Sequence, residues 1–87
     1  YLDIRHRLEV VALARRLADM GRAVVLVLQD LDLALKGADR VAVLADGTLR
    51  QTGSPEEIFS AGILDEVFGV SVRRVRTEDG WQYYCGL

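Results

Sequence analysis

With 87 residues, 51% of them hydrophobic and 28% charged, and a formal net charge of -2, the chain has the make-up of one small globular α/β or α+β unit with a modest core. The near-balanced charge argues against a nucleic-acid binder, which carries a basic excess, and no apolar run approaches the roughly 20 residues of a membrane-spanning helix. The single cysteine, Cys85, excludes an internal disulfide framework and leans toward a reducing, cytosolic compartment.

The opening "YLDIRHRLEV" has no initiating Met and no signal-peptide pattern, and helical periodicity begins almost at once, so Tyr1 reads as a cut and not a natural start. Asp3 is the expected N-cap of a helix from Ile4 to Met20, with Gly21 as its stop. Val10, Leu13, Ala14 and Leu17 share one face while Arg7, Arg15, Arg16 and Asp19 fall mostly elsewhere, which predicts an amphipathic helix laid over something apolar. The expected partner is "AVVLVL", Ala23 to Leu28. Its β-branched residues and lack of alternation suit a strand buried on both faces, as in a parallel sheet. That strand ends on Gln29 and turns directly into a helix capped by Asp30, the place where open α/β proteins put their chemistry. The second helix is short, running through "LDLALKGA" with Gly37 near its end.

Beyond it, "RVAVLADGTLRQTG" predicts a hairpin turning at Asp46-Gly47. "SPEE" combines a Ser N-cap, Pro at the first helical position and Glu three residues after the cap, so a helix starts at Ser54. Ile58, Phe59, Leu64, Val67 and Phe68 supply its apolar face and Gly69 ends it. "VSVRRVR" and "WQYYC" then predict two strands joined by "TEDG". The expected fold is therefore α/β: one buried parallel strand with flanking helices, a β-hairpin and terminal antiparallel strands. A central parallel strand needs parallel neighbours, and the remaining strands suit antiparallel pairing, so half of a sheet is missing. The expectation is a fragment that can self-associate through its uncovered sheet.

The order "YLDIRHRLEVVALARRLADMGRAVVLVLQDLDLALKGADRVAVLADGTLRQTGSPEEIF" followed by "LDEVFGV" resembles the C-terminal part of an ABC-transporter ATP-binding subunit, of the iron-siderophore, haem and vitamin B12 importer type. The resemblance covers almost the whole chain, from Tyr1 to about Val75, and rests on order and spacing more than on one motif. It implies the C-terminal portion of a P-loop, RecA-like nucleotide-binding domain across residues 1–87. Leu2 and Asp3 resemble the D-loop, whose aspartate faces the opposite subunit in a nucleotide-sandwiched dimer. "VLQDLD" resembles the switch region, with Gln29 in the place where the family usually has His. "ADRVAVLADGTLRQTGSPEEIF" resembles the family's late hairpin and following "G-x-P-x-E" helix, with Ser54 in the variable place.

The family's phosphate loop, signature motif and Walker B acid do not occur in these residues. Without the backbone N–H cradle and its lysine, the phosphates lose most of their electrostatic stabilisation and no Mg²⁺ ligand is evident, so ATP and Mg²⁺ are expected in the longer parent and neither in this chain alone. The resemblance implies a second ATP-binding subunit and a transmembrane permease as partners, and a place at the cytoplasmic face of the membrane. A family switch histidine contacts the γ-phosphate and helps to hold the attacking water. Gln29 can donate through its amide but cannot carry a proton or positive charge. The bland alternative for Gln29 is a polar helix-entry residue in a chain that never met nucleotide. An accessory module without catalysis and an independent flavodoxin-like domain are the competing classes, the latter weakened by the single parallel strand.

Other residues carry weaker signals. Asp3 serves equally as a plain helix cap. His6 has no metal-spaced partners, and Cys85 has no basic neighbour that would mark a nucleophile. Arg73, Arg74 and Arg76 read as one solvated face, and Trp81, Tyr83 and Tyr84 as packing of the last strand. The pairs Glu56-Glu57 and Asp65-Glu66 sit in helix-start and surface patterns without glycosidase geometry.

Overall fold

Local chemistry sets most of the element boundaries in the computed structural model, which describes residues 3–87. Helix α1 spans Ile4–Asp19, and the Asp3 carboxylate accepts from the His6 N–H, so an orphan donor of the first turn is satisfied. Helix α2, Leu31–Gly37, is capped in the same way by Asp30, which accepts from the Leu33 N–H. Strands β1, Val41–Ala45, and β2, Thr48–Gly53, form a hairpin closed by Asp46 and Gly47 with φ of 53° and 72°. Two positive φ angles match the right-handed strand twist, which is why an Asp-Gly pair occupies the turn. The ladder shifts register between Val43 and Leu44, and Arg50 is the extra residue of the bulge.

Helix α3, Pro55–Ala61, opens with a complete capping box: the Ser54 hydroxyl accepts from the Glu57 N–H and the Glu57 carboxylate accepts from the Ser54 N–H. The single helix expected from Ser54 to Gly69 is divided. Gly62 takes φ 73°, ends α3, and starts α4, Ile63–Phe68. The break rotates Phe68 out to solvent and brings Ile63 into the core in its place. Strands β3, Ser71–Thr77, and β4, Gly80–Gly86, form a second antiparallel pair.

The core is one cluster built from Leu35, Val43, Ile58, Ile63, Leu64 and Val72, with Ile58 wholly excluded from solvent at 0% exposure. Every one of these residues comes from α2 onward. Two carboxylate-to-backbone hydrogen bonds tie the elements around it. Asp32 accepts from the Tyr83 N–H at 2.9 Å, joining α2 to β4, and Asp65 accepts from the Val72 N–H at 2.9 Å, joining α4 to β3.

The segment expected to be the buried parallel strand differs from that reading. Residues 22–28 adopt no regular secondary structure, and Val25 and Val27 are 88% and 92% exposed. The described residues form two two-stranded sheets, β1-β2 and β3-β4, and neither supplies this segment with a ladder. Strand propensity cannot create a strand where no neighbour accepts its hydrogen bonds. The covering face of α1 also differs. No α1 residue is buried, and Val10 and Leu13 are exposed together with Ile4 and Leu8. The half-buried side of α1 carries Arg7, Val11, Ala14, Arg15, Leu17 and Ala18, so Ala14 and Leu17 of the expected face are partly covered while Val10 and Leu13 are not.

Alternation along β3 separates the three arginines that the sequence suggests share one solvated face. Arg73 points away, while Arg74 lies between the rings of Phe59 and Trp81, its guanidinium carbon 4.2 and 4.0 Å from their centroids. Its side chain is only 17% exposed and forms a two-pronged ion pair with Glu56 of α3. Arg76 stacks on the same indole at 5.2 Å. Tyr83 packs on the core and meets Phe59 edge-on, whereas Tyr84 is exposed.

Candidate functional site

The starts of α1 and α2 lie at one end of the molecule, and this puts the two residues singled out in the sequence into one neighbourhood. Asp3 is the exposed cap of α1, and its carbonyl accepts the Arg7 N–H at 3.1 Å. From the next turn the Arg7 guanidinium reaches across to the Asp30 carboxylate at 3.7 Å. Asp30 thus uses one oxygen to cap α2 and the other to face Arg7. Gln29 is the exposed bend residue directly before that cap. Asp3 and Gln29 are therefore linked through Arg7 and Asp30 and not through a contact of their own. Leu2, the other residue of the expected D-loop, lies outside the described residues.

Gln29 borders a shallow open groove of about 470 Å³ that runs between the start of α2, the end of α4 and strand β4. Its walls are Leu31, Phe68, Val70, Tyr83, Tyr84 and Cys85, together with Asp30 and Asp32. Both carboxylates are already occupied: Asp30 by the Leu33 N–H and Arg7, Asp32 by the Tyr83 N–H and Lys36 at 3.5 Å. A triphosphate needs convergent N–H donors and cations, and this groove offers neither a Lys nor an Arg in its lining. Mg²⁺ needs free oxygen ligands, and among the described residues no three His, Cys, Asp or Glu side chains converge. The described residues lining this groove do not fit ATP or Mg²⁺. Gln29 presents an exposed amide at the entry of the capped helix α2.

Sequence reasoning places Asp3 and Gln29 but misses Arg7, Arg15 and Arg74, each of which acts across space. For the first two a local signal exists. Arg7, Val11 and Arg15 recur at i, i+4 and i+8, a single stripe along α1. Among the described residues His6 faces the Asp3 carboxylate at 3.4 Å, and Cys85 is a free, exposed thiol.

Helix caps, a bent polar residue after an apolar segment, and the hairpin with its capping-box helix keep the order on which the resemblance to importer ATP-binding subunits rests. Comparison with curated proteins agrees. At 35–49% identity over most of its length, the chain is a homologue of the C-terminal part of ABC importer ATP-binding subunits. No protein-family model matches it. The relatives are hemin import ATP-binding proteins named HmuV. That of Thermobifida fusca is 45% identical over 74 residues, covering 85% of this chain and 26% of the relative. That of Streptomyces coelicolor is 49% identical over 67 residues, covering 77% and 24%. That of Rhodopseudomonas palustris strain BisA53 is 37% identical over 79 residues, covering 91% and 29%. The chain thus spans between a quarter and three-tenths of the length of these relatives. No helix among the described residues is long and apolar enough to cross a membrane.

Proposed function

We propose that residues 1–87 are the C-terminal portion of the nucleotide-binding domain of an ABC importer, and that the parent subunit couples ATP binding and hydrolysis to uptake of haem or a chemically similar iron chelate or cobalamin. The observation that carries this reading is the identity to hemin import ATP-binding proteins, which extends over 85–91% of the chain. In the parent, a phosphate loop and Walker B acid would hold ATP and Mg²⁺. This chain supplies Asp3 as the D-loop aspartate facing a second subunit, and Gln29 at the switch position. The parent would work as a dimer under a transmembrane permease on the cytoplasmic side of the membrane. Alone, the chain neither binds nor hydrolyses ATP, because its groove has acids and an apolar wall where a cradle of donors is required.

Gln29 gives this reading its testable chemistry. Phosphoryl transfer is accelerated by positioning and electrostatics, and an amide supplies a hydrogen-bond donor but no positive charge. The parent with Gln29 should therefore turn over ATP slowly, and Gln29→His should raise kcat by about 10²-fold, the lower end of what a positioned acid–base group contributes. Turnover unchanged by that substitution, and equally unchanged by Gln29→Ala, would overturn the assignment.

A second reading is favoured by the bare apolar segment 22–28: a non-catalytic module that pairs with a second copy through that segment. Association that rises with concentration and ignores ATP supports this reading. Association that requires both the longer subunit and ATP supports the first.

A further inference from the structure

Helix α1 contributes no fully buried side chain to the molecule; its half-buried residues are Arg7, Val11, Ala14, Arg15, Leu17 and Ala18, so polar contacts and partial apolar cover together hold it on α2. The polar contacts lie along one stripe. Arg7 reaches Asp30 at the first residue before α2, and Arg15 donates to the Gly37 carbonyl at 3.0 Å and pairs with Asp39 at 3.2 Å beyond its end. Val11, midway between the arginines, lies so close to α2 that a Cβ on Gly37 would come within 2.9 Å of its Cγ1. The two arginines thus contact α2 at the residue before its start and at its last residue, with Val11 beside that last residue. Among the described residues the Arg7 Nε is buried without a hydrogen-bond partner, and the same guanidinium faces Asp30 through Nη1.

We propose that Arg7 and Arg15 are positioning residues: a two-point clamp that fixes α1 on α2 and thereby sets the orientation of Gln29 beside the α1 cap. Arg7 acts through Asp30. By fixing one oxygen of that carboxylate it orients the other toward the Leu33 N–H, and with it the direction in which the chain enters α2 from Gln29. Arg15 acts at the far end by covering the last carbonyl of α2, an acceptor that the helix itself leaves unpaired. The significance of the clamp for catalysis rests on the switch reading of Gln29; its existence does not.

The test uses the 87-residue chain and the three glutamine side-chain amides it contains, Gln29, Gln51 and Gln82, resolved by nuclear magnetic resonance. Arg7→Ala should displace the Gln29 amide pair and leave those of Gln51 and Gln82 in place. It should also speed exchange of the Leu33 N–H by about two- to five-fold, the range for loss of one exposed ion pair. Arg7→Lys should restore part of the displacement. Asp30→Asn, which keeps the cap and removes the charge, should shift Gln29 in the same sense, and the double variant should add nothing further. In the unmodified chain, 1 M salt, where screening acts within about 3 Å, should move the Gln29 signals toward their Arg7→Ala positions. Gln29 signals unmoved by Arg7→Ala and by salt would overturn the clamp, and the salt arm applies even if a variant fails to fold. ATP turnover of the longer subunit reads the other question: indifference to Gln29→Ala would remove the switch assignment while the amide shifts still decide the clamp.

Discussion

Truncating Val27 separates the two environments that the apolar segment 22–28 can occupy. Val→Ala removes two methylene equivalents, about 1.6 kcal/mol of transfer free energy when both are buried. Val27 is 92% exposed, so only about a twelfth of that is at stake in this chain, or about 0.1 kcal/mol. Ile58 is the internal reference: it is 0% exposed, and Ile58→Ala should cost about 2–5 kcal/mol once the cavity is included. At about 0.05–0.15 kcal/mol per residue the whole chain holds only about 4–13 kcal/mol, so the second variant sits near the edge of folding. Urea unfolding at low micromolar concentration, followed by the fluorescence of the sole tryptophan, Trp81, measures both. In a longer polypeptide that gives the segment strand partners, the same Val27→Ala change should cost about 2–3 kcal/mol, because transfer and cavity both apply. A loss above about 1 kcal/mol in the 87-residue chain would refute the reasoning, since it requires Val27 to be covered already.

Three further perturbations follow from the packing. The Ser54 N–H and hydroxyl hold the Glu57 carboxyl below its ordinary value of 4.5, and hydrogen bonding to Arg74 does the same for Glu56. Both folded values lie below the unfolded ones, so this stabilisation is complete above about pH 4.5 and is lost as pH falls through the folded values. Urea midpoints measured from pH 7 to 3 should drop on acidification, and drop less in Glu57→Gln. Arg74→Ala removes the ion pair to Glu56 and the stacking on Phe59 and Trp81, so the urea midpoint should fall and the emission of Trp81 should change. Arg74→Lys should recover part of both, and unchanged emission would refute the stacking. Gly37→Ala should cost about 1–3 kcal/mol as an overpacking change and loosen α1 in hydrogen exchange. Val11→Ala should relieve it, and a double variant no more stable than Gly37→Ala alone would refute the close approach.

The parts of the fold legible in the sequence are those decided within a few residues. Asp3, Asp30 and Ser54 announce helix starts because a short side-chain acceptor meets an N–H three residues on, and Asp46-Gly47 announces a turn because its φ angles exclude most other residues. Gly62 could have been recognised as a break, but a glycine within an apolar helical pattern is also tolerated there. Segment 22–28 departs from its strand-like composition for a different reason. Its composition specifies what it can pair with, and pairing depends on strands that these residues do not provide. Arg74 and Asp32 were not legible because their partners lie 18 and 51 residues away. At the site, Asp3 and Gln29 are legible as a helix cap and a helix-entry residue, whereas the stripe of Arg7 and Arg15 is legible on α1 but its partners Asp30, Gly37 and Asp39 are not.

The most direct test of the central claim is the coding sequence upstream of Tyr1 in the same reading frame. The account predicts a phosphate loop, then a signature motif, then an apolar strand ending in Asp-Glu immediately before Tyr1. A start codon directly preceding Tyr1 would contradict it, and the chain would then stand as a module without its own nucleotide site.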